Sequence, residues 1–269
     1  MVVVFVGVAL LAVLLGLVLG RVVRRQNRMG PVDGAGREWI NVEDVTGPAI
    51  TLAALLLAFM LVQTYSSFQR AEEHAATEAA TVLTEHQSTD LLAEPQRSAV
   101  RGDLVCYARA VVALEWPAMA DGGSDESTTY WEEQVRAQLA AAADQDTARL
   151  SVSGLVDLEA ARSTSRRERI AEVEPAVPGA LSWLIELTAL SALVLMGVFT
   201  WHLRPLVRGI LVGTVVVLVV MVVVGVRELD TPFSGFVALE PSAMRATLAE
   251  IDAPAAPLPC DPTGVPVPA

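Results

Sequence analysis

The sequence contains no lysine, and each of its nineteen basic residues is an arginine. It also lacks a glycine-rich phosphate loop, HExxH, CxxC and G-x-S-x-G, the motifs that accompany nucleotide, zinc, redox and acyl-transfer sites. Thirty-one acidic residues bring the formal net charge to −12, which opposes the binding of nucleic acid. We therefore expect no enzyme and no nucleic-acid partner, and we assign no catalytic residue, no cofactor and no metal ligand.

Histidines and clustered arginines do not change this expectation. His74 and His86 stand twelve residues apart with glutamates nearby. On a helix they would share a face only loosely, so a solvated helix surface is favoured over a metal site. Arg166, Arg167 and Arg169 form a local basic cluster. In so acidic a chain, this cluster predicts a salt-bridged helix face rather than a nucleic-acid site.

Long uncharged runs are what the sequence has in excess, since 53% of its 269 residues are hydrophobic and the mean hydropathy is +0.47. A helix needs about 20 apolar residues to cross the hydrocarbon core of a bilayer. Four suitable runs are present, namely Val2–Gly20, Pro48–Tyr65, Ala180–Trp201 and Gly209–Val226. We predict four transmembrane helices, with the lipid bilayer as a partner. The first is interpreted as a retained anchor, because its positive charge follows the apolar run instead of preceding it.

One ionisable residue, Glu186, falls within the third run. It lies near the beginning of that run, so we expect a partly hydrated carboxylate at the membrane interface. A ring of such carboxylates at the mouth of a pore, attracting cations, is the alternative.

The four spans divide the chain into five segments. Residues 1–47 hold the first span and a basic loop, 48–65 the second span, 66–179 an acidic helical extramembrane domain, 180–226 the third and fourth spans, and 227–269 a tail. The predicted fold class is all-α, with the extramembrane domain inserted between spans two and three.

Proline, glycine and turn residues set the predicted helix ends within this domain. The predicted helices run from Pro48 to Glu94, from Gln96 to Glu115, from Thr128 to Leu150, and from Leu155 to Glu172. Trp116-Pro117 is predicted to end the second of them. After Met244 we expect a short amphipathic helix, followed by a Pro-rich end that is disordered.

Charge predicts the orientation in the cell membrane. The first loop has five arginines against four acids, and the turn between spans three and four has two arginines and no acid. The large segment has ten arginines against twenty acids. Because basic loops stay in the cytoplasm, the acidic domain is expected to be extracytoplasmic. Cys106 and Cys260 then lie on one side and could form a disulfide, although two unrelated thiols are an equal alternative.

Several phrases together resemble a bestrophin-like family of bacterial domains of unknown function, whose members have four spans. The phrases are GPAITLAALLLAF, R-x-x-E-x-x-A-x-x-E-A at Arg70–Ala79 with Glu78, Tyr107-x-x-x-V-x-x-x-Glu115-Trp116-Pro117, the Arg-rich stretch before Leu181-Ser-Trp183, and Leu229-Asp230-Thr-Pro232-Phe233-Ser-Gly235. The resemblance covers about residues 45 to 250 of this chain.

The resemblance implies a channel architecture. The Pro232-Phe233-x-Gly235 phrase is similar to the Pro-Phe-Gly segment after the last span of bestrophins, which are pentameric ion channels. By this likeness the second span lines a pore whose apolar neck consists of Leu55, Leu56, Phe59 and Met60. Bestrophins keep their large domain in the cytoplasm, however, whereas the arginines here predict the opposite side.

The sequence is compatible with two functions. The first is a homo-oligomeric ion channel of bestrophin type, with ions as the transported species. The alternative is a non-transporting membrane scaffold or envelope-sensing protein whose extramembrane domain binds a partner. The alternative is supported by the scarcity of polar residues within the first, second and fourth spans.

Overall fold

A computed structural model describes residues 2–29, 42–144, 149–200, 203–252 and 257–267. These residues form α-helices and no β-strand, so the all-α prediction is confirmed. The helices are α1 (Val2–Met29), α2 (Val42–Ser88), α3 (Gln96–Ala110), α4 (Trp116–Ala120), α5 (Glu126–Ala143), α6 (Arg149–Ala171), α7 (Gly179–Thr200), α8 (Pro205–Leu229) and α9 (Ser242–Ile251). Most of the predicted basic loop and the predicted end of the third span, residues 30–41 and 201–202, lie outside the described residues.

The chain divides into two compact units, which we call the span unit and the helical unit. The span unit comprises Met1–Tyr65 and Val177–Asp230, and the helical unit comprises Ser66–Ala176 and Thr231–Ala269. Among the described residues, four helices are long and apolar enough to cross a membrane. They cover Val4–Val22, Gly47–Leu91, Gly179–Val198 and Pro205–Leu229, as the uncharged runs predict.

Two glycines allow α1 and α7 of the span unit to pack closely. A Cβ atom built on Gly16 would lie 2.2 Å from the carbonyl oxygen of Val194. A Cβ atom built on Gly197 would lie 2.7 Å from the carbonyl oxygen of Val13. Only a residue without a side chain fits such a contact, which is a common way for membrane helices to pack.

The long helix α2 ends earlier than the predicted Glu94. It stops at Ser88, and a single 3-10 turn, Thr89–Leu91, follows. The hydroxyl of Thr89 donates to the carbonyl oxygen of His86 at 2.6 Å and accepts from Nε of Arg101 at 2.8 Å. Such side-chain bonds compete with the helical hydrogen bonds and favour a helix end.

The prediction that Trp116-Pro117 ends a helix was wrong. A π-helical turn, Val111–Glu115, joins α3 to α4, and the chain stays helical to Ala120. Pro117 falls in the first turn of α4, where a missing N–H leaves no intrahelical bond unmade. The wider turn therefore restarts the helical register immediately before the proline.

The ends of α5 and α6 also differ from the prediction. The side chain of Asp125 accepts hydrogen bonds from the backbone N–H groups of Ser127 and Thr128. This N-cap starts α5 at Glu126, two residues before the predicted start. Since α5 ends at Ala143 and α6 begins at Arg149, Leu150 belongs to the later helix.

The prediction that the Pro-rich end is disordered was wrong for residues 257–267. The structure joins Cys106 to Cys260 by a disulfide with an S–S distance of 2.01 Å. Nε1 of the buried Trp131 donates to the carbonyl oxygen of Gly264 at 2.6 Å. Gly264 has a φ of +89°, and a Cβ there would lie 2.3 Å from the nitrogen of Ala110. These contacts fix a segment that has little secondary structure of its own.

Candidate functional site

Within the span unit, α2 presents one apolar face that stays exposed among the residues that the structure describes. The residues on this face recur at helical spacing and are more than half exposed: Leu52, Leu55, Phe59 and Val62. The opposite side of the helix carries Ala53 and Leu57, which are buried. An exposed apolar face on a spanning helix can meet lipid, another copy of the chain or the wall of a pore.

The predicted neck residues do not all lie on this face. Leu55 and Phe59 lie on it and are each 64% exposed, and Leu56 borders it. Met60 instead packs against the core cluster that contains Leu57 and Ala189. The structure therefore brings Leu55 and Phe59 together on the exposed face and turns Met60 inward.

Glu186 has a partner that the sequence interpretation missed. Its carboxylate forms an ion pair with the guanidinium of Arg227. Glu186 is on α7 and Arg227 is on α8, so the pair links two adjacent spans. An ion pair of this kind lowers the cost of a carboxylate close to a membrane.

The helical unit contains a buried cluster of glutamates and arginines, which we call the ion-pair cluster. Its members are Glu78, Glu85, Glu115, Glu132, Arg162, Arg166 and Arg169. The three arginines follow one another at spacings of four and three, and therefore lie on one face of α6.

Arg169 lies at the centre of this cluster. Its Nε donates to Oε2 of Glu78 at 2.6 Å, and one Nη donates to Oε2 of Glu115 at 2.6 Å. Its guanidinium also lies 5.2 Å from the ring centroid of Trp116, within the range of a cation–π contact. Neither Arg169 nor its two glutamates is exposed to solvent. One arginine thus joins α2, the π-turn and α6.

Arg166 and Arg162 extend the cluster along α6. Arg166 bridges Glu115 and Glu132, with 2.7 Å between its Nη1 and Oε2 of Glu132. Arg162 donates to Glu85 at 2.9 Å and stacks 4.3 Å above the ring of Tyr107. Buried charges are stable only when paired in this way.

Burial and charge shift several pKa values in the cluster. Burial, reinforced by the charge of Glu78, raises the pKa of Tyr107 well above its usual range. Its hydroxyl therefore stays protonated and donates to Oε1 of Glu78 at 2.7 Å. Burial opposes the charge of Arg169, but Glu78 and Glu115 outweigh it and raise the pKa of that guanidinium. The cluster has the character of a permanent structural network, with no solvent-facing group to act as an acid or base.

The residues of the family resemblance fall partly in this cluster. Glu78 and Glu115 belong to it, and Trp116 lies beside it. Nε1 of Trp116 donates to the carbonyl oxygen of Leu239 at 2.8 Å, and its ring meets Phe233 edge to face at 5.4 Å.

The other resemblance positions lie outside the cluster. Arg70 pairs with Glu172 at 2.9 Å. Pro117 is exposed, Pro232 is buried, and Gly235 has a φ of +92°, which favours glycine. In the span unit, Asp230 accepts from the N–H of Val177 at 2.9 Å.

The predicted salt-bridged face is confirmed for Arg166 and Arg169, whereas Arg167 is exposed and bonds to Ser163 and Thr164. Sequence reasoning missed Arg162 and two of the glutamates in the cluster, Glu85 and Glu132. The spacing of arginines at 162, 166 and 169 was the available signal.

His74 and His86 lie in different surroundings. Nδ1 of His74 lies 3.1 Å from Oε2 of Glu168, and burial lowers the pKa of His86. Among the described residues, no group of three histidine, cysteine or acidic side chains could hold a metal ion.

Known proteins share this architecture. A family model of the Bestrophin-like domain matches residues 38–244. A crystal structure of a bacterial Bestrophin homolog from Klebsiella pneumoniae is similar with a TM-score of 0.70 at 12% identity, covering 91% of this chain and 95% of that chain. Two single-substitution variants of that homolog have TM-scores of 0.71 and 0.68 at 13% identity, covering 92% and 93% of this chain and 97% and 99% of theirs. The similarity to these structures concerns the fold. No curated protein matches the sequence.

Proposed function

We propose, from the premise that this chain belongs to the family of Bestrophin-like domains, that several copies assemble in the cell membrane as an ion channel. In this proposal the exposed face of α2 lines the path of the ions. Copies would be arranged so that Leu55 and Phe59 of each α2 face a common axis. Their side chains would form an apolar constriction of the kind that gates by excluding water.

The observation that carries the proposal is the composition of the exposed face of α2. Four large apolar residues recur on it, and the polar Gln63 lies exposed beside Phe59, one turn further along. A glutamine amide facing lipid loses hydrogen bonds with water, which costs free energy. An amide that lines a water-filled path loses none. Gln63 therefore favours a pore over lipid for this side of the helix.

Two independent observations support an extracytoplasmic helical unit. The arginine-rich loops predict that orientation. The bond between Cys106 and Cys260 adds to it, because disulfides persist in oxidising compartments and are rare in the cytoplasm. The resulting orientation is opposite to that implied by the family resemblance.

Reconstitution in liposomes tests the channel against the scaffold. Purified protein in KCl-loaded vesicles should release chloride or potassium down its gradient, and cross-linking of the same sample should give a ladder of discrete oligomers. The double substitution Leu55→Ala and Phe59→Ala widens the proposed neck and should increase the flux. Leu14→Ala truncates a leucine exposed on α1 and should leave the flux unchanged. Well-folded protein that gives no flux with any variant would instead support the scaffold.

A further inference from the structure

A cavity of about 680 Å³ in the helical unit has no role in the proposed ion path. Its walls come from the end of α2, Glu94 and α3, α5, the end of α9 and residues 257–259. One wall is apolar and includes Val105, Ile251 and Leu258. Pockets for small organic ligands usually have volumes of about 300–1,000 Å³ and combine apolar walls with a few polar groups.

The side chain of Asp103 lines this cavity. The residue is only 6% exposed, and among the described residues none donates a hydrogen bond to its carboxylate or forms an ion pair with it. Burial alone raises the pKa of Asp103 to about 7. A buried, unpaired carboxylate is unfavourable, and a bound cation would remove that penalty.

The basic groups around the cavity are already engaged. Nε of Arg97 donates to the carbonyl oxygen of Leu92 at 2.9 Å, and Arg101 pairs with Asp90 at 2.7 Å. The acidic Glu94 accepts from the hydroxyl of Ser98 at 2.7 Å. The remaining titratable groups on the walls are His86, Tyr130 and Glu250. No basic group on the described walls therefore compensates the charge of Asp103 when it is ionised.

From this arrangement we infer that the cavity binds a small amphiphilic amine, whose ammonium group pairs with Asp103 and whose apolar part lies against Val105, Ile251 and Leu258. The amides of Gln134 and Gln138, also on the walls, supply oxygen atoms that accept further N–H bonds. A metal ion does not suit the site, because no three histidine, cysteine or acidic side chains among the described residues come together there, and hard cations require six or more oxygen ligands.

Calorimetry on the purified full-length protein tests the inference with phenethylammonium chloride as the probe. The neutral 2-phenylethanol has nearly the same shape and lacks the charge. Wild-type protein should bind the amine at least about ten-fold more tightly than the alcohol, since a charge-assisted hydrogen bond corresponds to about one to two factors of ten in affinity. Asp103→Asn should remove this preference and leave the weak binding of the alcohol unchanged.

Proton release gives a second readout. Pairing with an ammonium group favours the ionised carboxylate, so at pH 7 amine binding should release about half a proton per site, and almost none at pH 8.5. Titrations in buffers of different ionisation enthalpy measure this number.

Glu94→Gln is the matched control, because it removes one negative charge from the rim of the same cavity. That variant should bind the amine like the wild type. Since no described residue bonds to the side chain of Asp103, Asp103→Asn should fold normally, with a melting temperature at or above that of the wild type. Equal affinity of the wild type and Asp103→Asn for the amine, or no binding by either, would overturn the inference.

Discussion

Removing Arg169 should destabilise the helical unit more than any surface change on the same helix. Arg169→Met keeps an unbranched apolar chain of similar length but leaves Glu78 and Glu115 without their shared partner. Both carboxylates are fully buried. Removing one partner of a buried ion pair costs about 3–5 kcal/mol, because the remaining charge stays desolvated.

The expected loss of stability can be expressed as a change in melting temperature. For a domain of 150–250 residues, 1 kcal/mol corresponds to about 2–4 °C, so Arg169→Met should lower the melting temperature by about 6–20 °C. Arg167→Met is the matched control. Arg167 is exposed two residues away on α6 and bonds to Ser163 and Thr164, so its loss should change stability by less than about 0.5 kcal/mol.

Thermal unfolding of the purified protein in detergent, followed by far-UV circular dichroism, measures both variants. A double substitution with Glu78→Gln neutralises the carboxylate that loses its arginine partner in Arg169→Met. It should therefore recover part of the loss, which a double-mutant cycle reports as a coupling between Arg169 and Glu78. If Arg169→Met and Arg167→Met melt within about 2 °C of each other, which is less than 1 kcal/mol, the ion-pair cluster does not stabilise the unit as reasoned here.

Three further predictions concern the disulfide, a helix contact and pH. Reduction of the Cys106–Cys260 bond, or its removal by Cys260→Ser, should cost about 2–4 kcal/mol because the bond closes a long loop; a scan with and without dithiothreitol checks this, and an unchanged melting temperature would refute it. Gly16→Ala should lower the stability in detergent, because its Cβ would meet the Val194 oxygen, whereas Gly213→Ala on α8 should not, because a Cβ there would lie within 4 Å of no described atom beyond its own helix backbone. Because the pKa of Asp103 is raised above its unfolded value, the folded state holds a proton that the unfolded state has released between about pH 4 and 7. As the pH rises through that window, the free energy of unfolding of the wild type should therefore fall relative to that of Asp103→Asn, by at most about 4 kcal/mol. Denaturant titrations at several pH values measure this. If the unfolding free energies of the two proteins changed in parallel with pH, the prediction would be contradicted.

The spans could be predicted from the sequence because length and apolarity are sufficient to identify them. In the part of the chain that the structure describes, each apolar run lies on a single helix. The helix α2 continues far beyond its span, as the absence of proline and glycine after Pro48 predicts. Its exact end depended on the hydroxyl of Thr89, which bonds to residues on two different elements.

The ion-pair cluster was much harder to predict. Arg166 and Arg169 are 51 and 91 residues from Glu115 and Glu78 along the chain. A single sequence shows charge and periodicity but not which distant element lies opposite. Glutamates on α2 therefore looked like a solvated surface, and Glu186 looked unpaired for the same reason.

The prediction for the Pro-rich end failed for a different reason. Its composition is typical of disorder, and local propensity offers nothing to stabilise it. What orders residues 257–267 is a covalent bond to Cys106 and the fit of Gly264 against Ala110. Both are tertiary contacts. The cysteine pair was visible in the sequence, but its pairing was open.

The most direct test of the proposed channel is a planar-bilayer recording of Phe59→Cys. The native cysteines are bonded to each other, so the new thiol is the reactive site on the proposed neck. We expect wild-type protein to conduct, and a positively charged methanethiosulfonate reagent to reduce the current of Phe59→Cys within the recording. Leu14→Cys on the exposed face of α1 should be unaffected. Absence of wild-type current in reconstituted oligomers, or a Phe59→Cys current that the reagent leaves unchanged, would contradict the claim that α2 lines an ion path.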